Sequence, residues 1–553
     1  MVRILSIGII LLIWGCANRV SPTGGPKDED PPELVRSVPE NGQRNFKSQE
    51  IELEFNEFIA PKSLNEQLII TPRIDTDYEY KYRKRSISLE FEEPFADSTT
   101  YTLNFRDGIV DLTESLPTEN LQIAFSTGNL LDTLEIYGSV LNLMTQQPKD
   151  NLIVGLYSIE DTLDIFTGPP YYFAKTDAEG HYHFRNIKDG TYKIYAFQDG
   201  NKNLICQSDG EAYGFLSEPI KLDTVVFADT INIEHMNLDT LELTRVRSSG
   251  RYFNVLANKY LTMAKLTASN DSSLIYHYND DRKGLIVYNS FPIEDSLLVF
   301  STLRDSLEQI SIDSFYLKFP ETTRPANEFK VTSEGIHGSF ETGKIKGIIK
   351  LTKPINQIRL DSIFINRDTT SIYPLLNNFT YTIDSLSNTL EFEIKTPDQI
   401  IDTLTLYQEL SKKDKSVKLP GYNLNFGLGG FMSVEQDTSA LISQPIKFIE
   451  ANKTGIITGD ILTQQNSFFI QLLNNKFQVV KEQKDGNKYR FSEIPPGDYF
   501  IRILIDSNEN GLWDYSDIRY NRMAEPLILY RDDSGNNKTV VRANWEINVD
   551  LNF

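Results

Sequence analysis

The sequence is poor in the residues that most often carry chemistry. Its 553 residues include two cysteines, Cys16 and Cys206, five histidines and three tryptophans. Two cysteines build no disulfide framework and match no zinc-ligand spacing. Cys206 therefore reads as an ordinary thiol, not a nucleophile. Of the histidines, His181 and His183 share one face of a predicted strand, but no third ligand lies near them in sequence. Basic residues are in deficit too. Lys plus Arg total 55 against 77 Asp plus Glu, a formal charge of −22. Such a chain lacks the basic footprint that nucleic-acid binding needs; the surplus of acid serves solubility. Beyond residue 14 there is no long apolar run, and the one at 4–14 falls short of the roughly 20 residues a spanning helix needs. HExxH, GxSxG and P-loop patterns are absent, and Gly427-Leu428-Gly429-Gly430 is too short to cradle a phosphate. These absences point away from an enzyme, although the many carboxylates leave a glycosidase pair open.

What is present begins with a secretory pattern. Arg3 supplies charge, Ile4 to Trp14 supply an apolar stretch, and Gly15 is a small residue before Cys16. Ile13-Trp14-Gly15-Cys16 resembles the lipobox of bacterial lipoproteins, with Trp14 larger than the residues usual there. The resemblance implies a signal peptide over 1–15 and a covalent lipid on Cys16, palmitate among its acyl chains. Several chains together anchor firmly where one is marginal. Residues 17–32, ANRVSPTGGPKDEDPP, contain almost nothing apolar. They cannot bury enough surface to fold, so 16–30 is expected to be a tether. The implied location is the outer membrane, lipid-anchored. The face stays open: acids close behind the lipidated cysteine favour surface export, and Lys27-Asp28-Glu29-Asp30 comes late.

After the tether, period-two alternation dominates. Ile51, Leu53 and Phe55 alternate with Glu52 and Glu54. Ile87, Leu89 and Phe91, then Tyr101, Leu103 and Phe105, then Leu121, Ile123 and Phe125 repeat the pattern. Alternation of this kind marks half-buried strands, and no long stretch shows a helical period. The expectation is an all-β chain of tandem β-sandwiches. PPELVRSVPENGQRNFKSQEIELEFNEFI, at 31–59, resembles the bacterial Ig-like domain of S-layer and envelope proteins. The Pro-rich opening, Pro39-x-Asn41-Gly42 and the strand Ile51 to Phe55 carry the likeness. Leader and tether together resemble Ig-like lipoproteins of Bacteroidota. An internal repeat organises much of the rest. HYHFRNIKDGTYKIYAFQDGNKN from His181 aligns without gaps to KYRFSEIPPGDYFIRILIDSNEN from Lys488. Phe184 matches Phe491, Ile187 Ile494, Gly190 Gly497, Tyr192 Tyr499 and Asp199 Asp506. Both resemble prealbumin-like sandwiches. The expected layout is an Ig-like domain over 31–129, prealbumin-like sandwiches over 130–240 and 451–553, a sandwich over 241–325 and an Ig-like sandwich over 326–450. The alternating run Trp545 to Phe553 is expected to close the last sandwich.

One motif suggests a ligand. DSNENGLWDYSD, at 506–517, places oxygens where a calcium loop wants them: Asp506, Asn508, Asn510, the Leu512 carbonyl, Asp514 and Asp517, with Gly511 at the sharp turn. The alternative is a hydrophilic hairpin whose Asn and Asp simply make turns. Its sister, DGNKNLICQSDGE at 199–211, keeps Asp199, Asn201 and Asn203 but has Leu204 for Gly and sets Asp209 and Glu211 out of register. A tripeptide of Asp, then Ser or Thr, then an apolar residue or Thr recurs at Asp97, Asp132, Asp161, Asp223, Asp229, Asp239, Asp295, Asp305, Asp361, Asp368, Asp384 and Asp402. It resembles the O-glycosylation sequon of exported Bacteroidota proteins, and it also suits strand-entry turns. The function expected is a non-enzymatic scaffold or accessory subunit that meets other envelope proteins. The alternative is a glycan-binding or adhesion lipoprotein, against which stands the scarcity of Trp: Trp513 lies in the loop motif and Trp545 in an alternating strand.

Overall fold

The computed structural model describes residues 29–553 apart from 75, 120, 294, 341 and 415. The signal segment, Cys16 and most of the tether lie outside the described residues. Strand makes up 46% of the chain and helix 5%, so the all-β class holds. The chain divides into two compact units. One comprises the described residues up to 141, with 148–206 and 213–233. The other comprises 142–147, 207–212 and 234–553.

The first unit opens with a sandwich. Strands Leu34–Val38, Glu50–Phe55, Ser86–Phe91 and Tyr78–Arg83 form one antiparallel sheet in that order, and Ile69–Thr71, Thr100–Asn104 and Gln122–Ser126 form a second. The alternation seen in sequence becomes the inner faces. Ile51, Leu53, Phe55, Ile87, Leu89, Phe91, Leu103, Ile123 and Phe125 are buried in one cluster, while Glu50, Glu52 and Glu54 face solvent. Asn41-Gly42 earns its place structurally. The Asn41 side-chain oxygen accepts from the Ala124 N–H at 2.9 Å, and the Gly42 N–H donates to the Ala124 carbonyl at 2.7 Å. Gly42 sits at φ +83°, where a side chain would be strained.

The same unit continues with a second sandwich. His181–Ile187, Leu134–Asn142 and Val226–Phe227 make one sheet, joined by Ile231–Ile233. Tyr172–Lys175, Ile153–Ser158, Gly190–Phe197 and Tyr213–Phe215 make the other, joined by Ile220–Leu222. At the end of the second unit the pattern returns. Lys488–Ile494, Gly455–Leu462 and Glu546–Asn548 form one sheet with Leu551–Asn552. Val479–Lys484, Phe468–Leu473, Gly497–Ile505 and Leu527–Leu529 form the other with Thr539–Val541. The likeness extends to a bulge, at Leu134/Ile136 and at Gly455/Ile457. It also extends to a tyrosine opposite a glycine: Tyr182 pairs with Gly138 and Tyr489 with Gly459. A Cβ on Gly138 would stand 2.2 Å from the Tyr182 hydroxyl, so only glycine lets the ring cross the strand. Tyr192 and Tyr499 both donate to a carbonyl four residues back, Lys188 at 3.0 Å and Pro495 at 2.9 Å.

Between these lie two further sets of paired sheets. Leu243–Ser249, Tyr252–Ala257, Gly284–Tyr288 and Tyr276–Tyr278 oppose Met263–Ala268, Leu297–Arg304 and Ile310–Leu317 over one core. A five-stranded sheet of Phe379–Asp384, Thr389–Lys395, Lys344–Leu351, Val331–Ser339 and Lys447–Ile449 shares a core with Ile372–Pro374, Ile363–Asn366, Asn423–Phe426 and Ile442–Pro445. Here the structure corrects the expectation of no helix. Asp398–Lys413 is a 16-residue α-helix that buries only Ile400 and Leu404. One apolar pair leaves little periodicity to read. Thr403 and Thr405, which disfavour helix through β-branching, turn their hydroxyls to the Gln399 and Ile401 carbonyls at 2.7 and 2.8 Å. Lys412 and Lys413 favour the C-terminal end of the dipole.

Two buried lysines of the second unit are ion-paired. Lys353 is fully buried, 2.7 Å from Glu435 and in contact with Asp437. Burial disfavours its charge, but the two carboxylates outweigh burial and hold its pKa above the ordinary value. Lys259 pairs with buried Asp305 and donates to the Asp239 carbonyl at 2.8 Å.

Candidate functional site

The loop that follows strand Gly497–Ile505 is built around one buried carboxylate. The strand, buried without a break from Tyr499, ends at Ile505, and Asp506 comes next with 2% of its surface exposed. It accepts from the Asn510 N–H at 3.1 Å, the Gly511 N–H at 2.9 Å and the Ser467 hydroxyl at 2.8 Å. Burial by itself would raise its pKa. The donors Ser467, Gly511 and Asn510 outweigh burial, so the net shift is downward and the group stays ionised. Two amides continue the turn. The Asn508 side-chain oxygen accepts from the Asn510 N–H at 2.9 Å, and that of Asn510 from the Leu512 N–H at 2.8 Å. Both amide nitrogens donate to Asp514, at 2.6 and 3.0 Å. Gly511 takes φ +88° at the turn.

The structure thus brings Asp506, Asn508, Asn510, Leu512 and Asp514 into one loop. It does not bring Asp517 there. That carboxylate is 1% exposed. It is held by Arg519 at 2.7 and 3.0 Å and accepts the Arg519 N–H at 3.0 Å, capping a short 3-10 turn. Its pKa is lowered because Arg519 outweighs the burial that would raise it. The residue that spacing missed is Glu525. Its carboxylate accepts from the N–H groups of Ser507, Asn508 and Asp514 at 2.8, 3.1 and 2.9 Å. Nothing in a twelve-residue motif points to it, because residues 515–524 intervene. Among the described residues, no group of three or more His, Cys, Asp or Glu side chains is arranged to hold a metal ion. Glu525 in particular spends its oxygens on N–H donors.

The sister loop repeats this skeleton. Asp199 accepts from the Asn203 and Leu204 N–H groups at 3.0 and 3.2 Å. Asn201 accepts from the Asn203 N–H at 3.2 Å, and Asn203 from the Ile205 N–H at 2.9 Å. Leu204 stands at φ +60°, in the position that Gly511 fills in the other loop. Further along, Glu211 accepts from the Gln207 N–H at 2.8 Å, as Glu525 does from Asp514. Glutamine at 207 removes the carboxylate that Asp514 supplies.

The remaining sequence-predicted groups are dispersed. Cys206 is buried. His183 lies 2.9 Å from Glu135 and stacks on Tyr137 at 3.9 Å. His181 lies 3.9 Å from Asp177. His277 is buried against the Tyr288 hydroxyl, His235 meets the Asp209 carbonyl, and His337 its neighbour Gly335. Many of the Asp-Ser/Thr tripeptides serve as turns: Asp368 accepts from the Thr370 and Ser371 N–H groups, and Asp384 from those of Leu386 and Ser387. Asp402 instead falls within the helix. The hydroxyl residues Ser98, Thr133, Thr162, Thr224, Thr240, Ser296, Ser306, Thr369 and Ser385 are exposed. Trp513 donates to the Pro526 carbonyl at 3.2 Å. Trp545 departs from expectation. It precedes the strand Glu546–Asn548, is 56% exposed and carries Arg542 over its ring at 5.0 Å. No described helix is long and apolar enough to cross a membrane.

A family model described as a bacterial Ig-like domain matches residues 28–127, the first sandwich. No curated protein sequence matches the chain. Among solved structures, the TIE protein of Bacillus anthracis is 11% identical, with 96% of this chain and 75% of that one covered and a TM-score of 0.14. The major pilin subunit of Bacillus cereus is 12% identical over 76% and 99%, with a TM-score of 0.13. Domains 1–6 of a surface layer protein are 8% identical over 92% and 67%, with a TM-score of 0.15. Likeness at this level says nothing of function.

Proposed function

We propose that this chain is a non-enzymatic envelope lipoprotein, anchored through Cys16, whose β-sandwiches act as a scaffold or accessory subunit of an outer-membrane assembly. One observation carries the scaffold reading. Among the described residues, strand Ile310–Leu317 lies at the edge of its sheet and pairs on one side only, with Leu297–Arg304. Ile310, Ile312 and Tyr316 on it are 59%, 74% and 67% exposed, and Phe300 on the neighbouring strand is 47% exposed. Unpaired edges with apolar faces invite another chain, and monomeric proteins usually blunt them with charge. Here Asp313 is the only charged residue in the strand. The test is co-purification from mild detergent. The native protein is expected to bring down a stable membrane partner. Ile310→Lys with Ile312→Lys should abolish this while changing stability by no more than about 0.5 kcal/mol per site. Recovery of the native protein alone across several detergents would overturn the reading. Cys16→Ser, which removes the lipid, is expected to move the protein from the membrane to the soluble fraction.

The loop 506–525 supports a calcium role subordinate to this one. Asp506, Asn508, Asn510, the Leu512 carbonyl and Asp514 are hard oxygen donors of the kind calcium takes. The ion would stiffen the loop without chemistry. Glycosylation at the exposed hydroxyls of the Asp-Ser/Thr turns fits an exported scaffold. A second reading, glycan binding or adhesion, is favoured by the exposed ring of Trp545. A glycan array with selective hits lost in Trp545→Ala would shift the conclusion to it.

A further inference from the structure

Within the first unit, a cavity of about 650 Å³ opens between the sheet Ile69–Thr71, Thr100–Asn104, Gln122–Ser126 and the strands Tyr172–Lys175 and His181–Ile187. Its walls are joined by polar contacts. The Thr102 hydroxyl donates to Asn186 at 3.2 Å, and Arg185 donates to Gln122 at 3.0 Å. In a chain of charge −22 the lining is unusual, because its permanent charges are Arg106, Lys175 and Arg185 against Asp107 and Asp177. The acids offset it only in part: Asp107 favours the charged form of Arg106, and Asp199 and Glu66 that of Lys175, less than burial disfavours each. Asp177 accepts the Glu179 and His181 N–H groups of its own turn at 3.1 and 2.7 Å, and Asp107 is exposed.

The cations are poorly partnered. The Arg106 Nη1 atom is buried and has no hydrogen-bond partner among the described residues, and neither has the buried Thr118 hydroxyl in the same lining. Among the described residues, Lys175 donates a hydrogen bond only to the Glu66 carbonyl, at 3.4 Å. The Glu66 carboxylate is taken by Lys202 at 2.7 Å. Burial, and after it the nearby charge of Arg106, disfavours the charged form of Lys175, and burial does the same to Arg106. Two like charges drawn partly out of water beside each other are costly unless an opposite charge joins them.

We propose that this cavity binds an oxyanion — a carboxylate, phosphate or sulfate — carried on a sugar-sized ligand, with Arg106 and Lys175 as charged donors and Thr118 as a neutral one. Guanidinium and ammonium donors to an oxyanion form short, charge-assisted bonds. The volume leaves room for a pyranose ring beyond the anion.

The experiment is calorimetric titration of the full mature chain at constant ionic strength with inorganic phosphate, sulfate, glucuronate and neutral glucose. At least one of the three anions is expected to saturate with a dissociation constant on the order of 1 mM, and glucose is expected to give no heat. Arg106→Gln and Lys175→Gln should each weaken the anion by about tenfold or more. Lys47→Gln, which alters an exposed lysine elsewhere in the unit, should leave it unchanged. Lys175→Gln is also expected to melt no lower than the native chain in chloride, because it relieves repulsion, and this separates loss of binding from loss of folding. Phosphate and sulfate binding without glucuronate would assign a phosphoryl or sulfuryl ligand, and glucuronate alone a uronic acid. Absence of saturable binding by all three anions, equal binding of glucose, or equal loss in Lys47→Gln would overturn the proposal.

Discussion

The sandwiches at Leu134–Ile233 and Gly455–Asn552 share strand order, the bulge, the tyrosine opposite glycine and the hydrogen bonds of an Asp-x-Asn-x-Asn turn. They part in what fills that turn. The later one has Gly511 at the left-handed position, Asp514 facing both amides, and Glu525 tying the far side. The earlier one has Leu204, Gln207 and Glu211. The comparison teaches that the turn's skeleton comes from backbone N–H groups and one aspartate. A capacity for metal would be added by Asp514, in whose place the sister turn has Gln207. Skeleton and ligand can therefore be broken separately.

The largest effect is expected from the aspartates. Asp506→Ala strips three donors of a buried acceptor and should cost about 3 kcal/mol, whereas Asp199→Ala, half-buried with two backbone donors, should cost about 1–2 kcal/mol. Denaturant unfolding of the two variants decides this, and equal losses would dissolve the distinction. Because the folded-state pKa of Asp506 is depressed, its contribution is present above the unfolded value near pH 4 and lost as pH falls through the folded value. The native chain should lose stability below about pH 4, and Asp506→Ala should lose less there.

Next is calcium. At about a hundred times its dissociation constant the ion should stabilise the native chain by about 2.7 kcal/mol. Asp514→Asn should remove that gain, and Gln207→Asp should not create it in the sister loop. Absence of a thermal shift in millimolar calcium would leave both loops as plain turns. The smallest effects concern the turn glycine. Gly511→Leu should cost about 1–2 kcal/mol from backbone conformation alone, since the nearest atom to its Cβ position is the Lys484 amine at 3.7 Å. Leu204→Gly should change stability by less than about 1 kcal/mol, strain relief being offset by lost side-chain burial and chain entropy. Thermal unfolding of the paired variants measures both.

Legibility followed the range of the interactions. The Ig-like strands were readable because period-two alternation is the local imprint of a two-faced sheet, and Ile51, Leu53 and Phe55 are buried as read. The repeat was readable from His181 and Lys488 onward because hairpin and turn are contiguous in sequence. Its extension to Gly138 and Gly459 was not, since a glycine opposite a tyrosine has meaning only once the strands pair. The helix at 398–413 escaped because burial of Ile400 and Leu404 alone supports it. Trp545 escaped because alternation holds only within a strand, and the strand starts one residue later. Asp517 and Glu525 exchanged places for the same reason: the ten intervening residues hold a 3-10 turn that turns one carboxylate toward Arg519 and returns the other to the loop.

Sequence by itself determined the all-β class, the acidic surface, the repeated hairpin and the turn around Asp506, because each rests on side-chain periodicity, net composition or hydrogen bonds spanning a few residues. Only tertiary structure decided that Arg106 and Lys175 face one cavity, that Ile310–Leu317 is an unpaired edge, and that Glu525 ties the Asp506 loop. These depend on which distant segments pack together, and burial, desolvation and strand pairing exist only after that packing is made.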